Sequence, residues 1–163
     1  MDTAYKTTLE LDKVLARAVQ LCACQETKEM MQALEPAPTI EDERYDLAQT
    51  NAINALLIKN GSPRFGSVRE VRRIVAHARK GGILSMGELL EIAATLRNFS
   101  GLSQWYGLSE HEMLPTDDLF FSLAPQPVLE KQISESIISP EEMADTASVT
   151  LHDLRRKIRQ TED

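Results

Sequence analysis

Apolar residues return every third or fourth position along almost the whole chain, and prolines and glycines cut that rhythm into helix-sized pieces. Leu11, Val14, Leu15, Ala18 and Leu21 predict a helix over 9–22, and Met30, Met31 and Leu34 one over 26–34. Pro36 and Pro38 in "EPAPT" stop it, because proline cannot continue a helix. Thr39 then reads as an N-cap, with Glu41, Asp42 and Glu43 facing the helix dipole, and the third helix runs to Lys59 or Asn60 before Gly61 ends it. Val68, Val71, Ile74, Val75 and Ala78 fall on one arc of a helix over 68–80. Leu89, Ile92, Ala93, Leu96 and Phe99 give a fifth helix reaching about Gln104. Residues 105–114 read as irregular, "LPTDD" restarts a helix to about Leu123, and Leu129, Ile133 and Ile137 support one over 128–137. Residues 139–146 read as a turn or a single short helix. Ser148 or Thr150 then caps a last helix carrying Leu151, Leu154 and Ile158. Aromatic residues make up 5% of the chain, so Leu, Ile, Val, Ala and Met must build the core, a mix that favours helix over sheet. The expected fold is all-α, an irregular multi-helix bundle of about seven to eight helices. At 163 residues the default is one domain spanning 1–163. The last helix is still in pattern at "KIRQTED", with no closing turn, which reads as a fragment whose final helix runs on into a missing part.

A net charge of −7 excludes a chain that binds nucleic acid over its whole surface. The basic residues are nevertheless clustered. Arg64, Arg69, Arg72, Arg73, Arg79 and Lys80 meet one acid, Glu70, and Arg155, Arg156, Lys157 and Arg159 form a second group. On the helical advance of about 100° per residue, Arg69, Arg72, Arg73, Arg79 and Lys80 occupy an arc of their own beside the apolar one. Three readings of that face stay open: a solvated or ion-paired surface, contact with a phosphate backbone, and docking to another part of a longer chain. Arg155, Arg156 and Arg159 carry the same alternatives.

The stretch "RKGGILSMGELL" (79–90) poses the sharpest chemical question, since basic residues beside glycines can wrap a phosphate. A P-loop needs its lysine after the glycines, and here Lys80 precedes them. Gly81 instead suits the left-handed position that ends a helix, and Ser85 with Glu88 forms a capping box that starts the next. His77, His111 and His152 form no paired ligand motif, and Cys22 and Cys24 lack a second cysteine pair, so buried or half-buried thiols are the favoured reading. The acidic pairs stand at helix starts, and no serine stands in a nucleophile elbow. No metal site, cofactor site or catalytic residue is expected in this chain. No apolar run approaches the roughly 18 residues of a membrane span, and "MDTAYKTTLELDK" is no signal peptide, so a cytoplasmic protein is the default.

Three blocks carry a resemblance. "KTTLELDKVLARAVQLC" (6–22) resembles the opening "K-T-L-E-[FY]-x-K-[IV]-L" of the bacterial type-two MutS family. "FGSVREVRRIVAHARKGGILSMGELLEIAATLRN" (65–98) is similar to that family's "F-G-G-[IV]-x-D-[IV]…A-x-K-G-x-x-L-x-x-x-E-L-L" segment, and "DTASVTLHDLRRKIR" (145–159) to its "D-x-A-S-x-x-L-x-x-I-R" segment. The order is kept and the similarity covers essentially the whole chain. Gly66-Ser67 replaces a glycine pair, and "SPEEM" (139–143) a glycine-containing turn.

The resemblance implies the N-terminal core of a longer, mismatch-repair-like protein. In that family a lever, a clamp, an ATPase and a small nuclease domain follow. ATP and Mg would belong to the missing ATPase domain, and the parent would be an ATPase and endonuclease. Its partners would be its own remaining domains, a second copy in a homodimer, and DNA or the ribosome, with no membrane. Recombination suppression and the splitting of collided ribosomes are the roles implied. The alternative is a free-standing helical adaptor that binds nucleic acid or an acidic partner through the basic face of 68–80.

Overall fold

A computed structural model of the chain describes residues 8–64, 66 and 68–162, with the Glu162 side chain left aside. Lys6, Thr7, Phe65 and Ser67, which belong to the two longer similarity blocks, lie outside the described residues, as do the rest of the N-terminal stretch and Asp163. The architecture is all-α. Eight helices are described: α1 (Leu11–Leu21), α2 (Gln25–Gln32), α3 (Ile40–Asn60), α4 (Arg72–Arg79), α5 (Met86–Tyr106), α6 (Asp117–Phe121), α7 (Pro127–Ser136) and α8 (Val149–Glu162). The one sheet among the described residues has two very short antiparallel strands, β1 (Ile137–Ser139) and β2 (Glu142–Met143), followed by a 3-10 turn at Asp145–Ala147. The chain divides into two compact units, Met1–Asn51 and Ala52–Asp163.

In the first unit, α1 packs on α2 and no described residue is buried. Thr39 does cap α3: its Oγ1 accepts the Asp42 amide at 3.1 Å and donates to the Asp42 carboxylate at 2.8 Å. Leu34, Ile40, Tyr45 and Leu47 all remain at least half exposed or nearly so.

The second unit holds two cores, one at each end of α5. At the C-terminal end, Leu56, Trp105 and Tyr106 are buried, with Ile53, Leu57, Leu114 and Phe120 packed on them. The Trp105 indole N–H donates to the Gly61 carbonyl at 2.8 Å, and the Asn60 side chain donates to the Trp105 carbonyl at 3.2 Å, so the end of α3 is fastened to the end of α5. Toward its N-terminal end, Ala93 meets Ile133 and Ile137, backed by Met86, Leu89, Leu90 and Ile92. Arg97 pairs with Glu130 and donates to Ser134 at 3.0 Å, which closes α5 on α7.

Three expected boundaries are corrected. The helix expected over 68–80 begins only at Arg72. Upstream, the Gly66 amide is held by Asn98 Oδ1 at 2.9 Å, and Val71 serves as an N-cap without a side-chain bond. Of the expected apolar arc only Ile74 is buried; Val71 is half-buried, and Val68, Val75 and Ala78 are exposed. Residues 105 and 106, expected to be irregular, are the last turn of α5 and the centre of a core. Residues 139–146 form a hairpin and a 3-10 turn rather than a turn or short helix alone. Ile137 and Ile138 favour extended backbone, and the Ser139 hydroxyl accepts the Glu141 amide at 3.3 Å in a local turn instead of capping a helix.

Candidate interaction site

The basic segment is organised around a short helix with well-built ends. At its C-terminus the Gly81 amide donates to Ala78 O at 2.9 Å and the Gly82 amide to His77 O at 3.1 Å, the bond pair of a Schellman cap. Gly81 has φ +81°, which a residue with a Cβ rarely adopts. Gly82 differs: a Cβ there would collide with the ring of the exposed His77, which would have to turn aside. Ser85 then opens α5 with the expected capping box, its Oγ accepting the Glu88 amide at 3.3 Å while Glu88 accepts the Ser85 amide at 2.7 Å. The Ser85 amide and hydroxyl hold the Glu88 carboxyl below its ordinary range. The stretch 79–90 is therefore a capped corner between two helices.

Around this corner Arg69 lies ahead of the helix, Arg72 and Arg73 stand in its first turn, and Arg79 and Lys80 close it; all five are exposed. Arg69, Arg73, Arg79 and Lys80 have no ion-pair partner among the described residues. Arg72 and Arg73 sit at the positive end of the helix dipole, where cations do not help stability, whereas Arg79 and Lys80 suit its negative end.

The second basic cluster has an intrachain task. Arg155 and Arg159 both pair with Asp145, the latter at 2.6 Å, and Arg155 also donates to the Met143 carbonyl at 2.9 Å. This clasp fixes α8 to the hairpin and the 3-10 turn. Hydrogen bonds from Arg155, then Arg159, hold the Asp145 carboxyl below its ordinary value. Arg156 faces Asp153 at 3.6 Å, an exposed pair one helical turn apart. No hydrogen bond or ion pair joins the α8 cluster to the α4 cluster among the described residues.

The cysteines are half-buried. The Cys22 thiol donates to Ala18 O at 3.4 Å, and Cys24 Sγ lies 2.9 Å from Thr27 Oγ1, whose bond lowers the Cys24 thiol pKa. Among the described residues no group of three or more His, Cys, Asp and Glu side chains is placed to hold a metal.

Sequence reasoning missed an aromatic corner between α5 and α6. Tyr106 stacks on Phe120 with centroids 3.9 Å apart, and Phe121 and His111 meet Tyr106 edge-on at 6.2 and 4.8 Å. The Tyr106 hydroxyl bonds the buried Thr116 Oγ1 at 2.8 Å and donates to Asp117 at 2.6 Å, whose other oxygen accepts the Leu114 amide at 3.2 Å. Burial, then the Asp117 bond, raises the Tyr106 phenol. The corner borders a cavity of about 520 Å³. The signal was the Trp105-Tyr106 pair meeting Phe120-Phe121 across a loop, a gathering of aromatics in a chain poor in them.

No family model matches the chain, and no solved structure matches it significantly. A protein of Clostridium beijerinckii called Endonuclease MutS2 is 29% identical over 154 residues, 93% of this chain and 20% of that protein. The protein of that name in Ruminiclostridium cellulolyticum is 30% identical over 162 residues, 98% of this chain and 20% of its own length. That of Lachnospira eligens is 30% identical over 156 residues, 96% and 19% respectively. By sequence, the chain is similar along nearly its whole length to proteins named Endonuclease MutS2 and spans about a fifth of the length of the relatives it matches.

Proposed function

We propose that this chain is the N-terminal scaffold module of a MutS2-type DNA-binding ATPase and endonuclease, carrying no chemistry of its own. Supporting it is the match along nearly the whole chain to a part of proteins named Endonuclease MutS2. On this reading the helices of residues 1–163 form one helical core domain that links a clamp to an ATPase, and the parent is a cytoplasmic homodimer that acts on DNA or ribosomes to suppress recombination or split collided ribosomes. ATP and Mg belong to the parent's ATPase domain. The chain replaces the matching fifth of the Clostridium beijerinckii protein in a direct test. The chimera should keep ATP hydrolysis and DNA binding, and the isolated chain should show neither ATPase nor nuclease activity. Loss of both activities in a soluble, folded chimera would overturn the scaffold reading.

A second reading rests on the exposed cations in and beside α4 that have no ion-pair partner among the described residues: Arg69, Arg73, Arg79 and Lys80, with Arg72 beside them, form a phosphate-backbone contact, as an adaptor would. Under it, binding to duplex DNA or RNA weakens steeply with salt, and Arg69→Glu/Arg73→Glu abolishes it. If the chain binds neither nucleic acid at low salt, this reading fails.

A further inference from the structure

The structure assigns the aromatic corner of α5 and α6 as a docking pocket for an arginine side chain presented by another polypeptide. Three observations converge on a cation with a flat face. The first is shape: the cavity of about 520 Å³ lies within the range of ligand pockets, roughly 300–1,000 Å³, and Tyr106, His111, Phe120 and Phe121 line it. Phe121, although large and apolar, is 74% exposed at its edge. Leu108, Met113 and Leu119 are also more than half exposed near it in the chain, an apolar surface that a partner segment would cover.

The second is charge. Residues 98–130 contain Glu110, Glu112, Asp117, Asp118 and Glu130 and no Lys or Arg. Asp117 is occupied by Tyr106 and Leu114, and Glu130 by Arg97, but Glu110, Glu112 and Asp118 have no ion-pair partner among the described residues. One cation approaches the loop: Lys59 Nζ donates to the Glu110 backbone carbonyl at 3.2 Å, which leaves the carboxylate available. A phosphate or a nucleic-acid backbone would meet repulsion here, and a cation would meet attraction.

The third is an orphaned atom. Ser109 lines the cavity, and its Oγ, withdrawn from solvent, has no hydrogen-bond partner among the described residues, although buried hydroxyls normally have one. It can accept from an N–H donor that enters. A guanidinium supplies a plane to lie against rings, five donors for Ser109 and Glu110, and a charge that never titrates away. A lysine ammonium supplies the charge without the plane.

The test titrates the isotope-labelled 163-residue chain with N-acetyl-arginine-amide, N-acetyl-lysine-amide and adenosine, followed by backbone and aromatic NMR signals. The arginine amide should give saturable shifts at Ser109, His111 and Phe121 with a dissociation constant of order 1 mM, several-fold weaker for the lysine amide. Phe121→Ala and Glu110→Gln, both at exposed positions, should each remove the response while leaving the rest of the spectrum in place. No saturable shift, an equal response in the two variants, or adenosine binding as tightly as the arginine amide would overturn the assignment. Corner signals that move with protein concentration alone would show a second copy as the occupant and overturn the separate partner.

Discussion

Thr116 is the one fully buried polar side chain among the described residues, and its position explains much of the second unit. Its hydroxyl is satisfied by Tyr106, which also binds Asp117, so the three groups satisfy one another. Tyr106→Phe strands the Thr116 hydroxyl and should destabilise the chain by about 1–3 kcal/mol, measured by urea unfolding. Tyr106→Phe/Thr116→Val should cost less than Tyr106→Phe alone, because no buried oxygen is then left without a partner. A different dependence holds at Asp145. Its folded pKa is depressed by Arg155 and Arg159, so the clasp contributes fully above the ordinary aspartate value of about 3.9 and is lost as pH falls through the depressed value. Asp145→Asn should therefore be less stable than the parent at neutral pH and converge with it in strong acid, as read by unfolding midpoints across pH. Neither network was legible in the sequence, since each joins residues ten or more positions apart through side-chain geometry that periodicity does not encode.

Element boundaries were legible where a local signal was sufficient. Thr39, Ser148 and the Ser85–Glu88 box each mark a helix start with their own hydrogen bonds, and Gly61 and Gly81, with φ of +72° and +81°, follow two helix ends. The signals failed where tertiary contacts compete with them. Asn98 holds Gly66 ahead of α4, and the Ile137–Ile138 pair beside the 139–143 turn outweighs the N-cap letters of "SPEE". The two glycines of the corner should respond differently to replacement. Gly81→Ala meets backbone strain and should cost about 1 kcal/mol. Gly82→Ala meets the His77 ring instead, so its cost should shrink in a His77→Ala background. Ser85→Ala should lose about 1 kcal/mol of cap energy, detectable in the same thermal melts.

At the scale of the whole molecule, helical rhythm and aliphatic composition announced an all-α fold, and the three similarity blocks pointed to the MutS2 family, because both are written in residue order. The unequal burial of the two units was not, since burial depends on which apolar faces find partners. The first unit has no buried residue among those described, whereas the second holds both cores and the single tryptophan. Unfolding in urea should consequently show circular dichroism beginning to fall before Trp105 fluorescence changes; coincident transitions would mean that the units melt as one. The aromatic corner carries a practical consequence as well. Trypsin cuts after Lys and Arg, and the corner lies wholly within the cation-free stretch that ends at Lys131. A digest returns it as one long peptide. A photo-cross-link or an oxidised ring at the corner will be read on that one peptide.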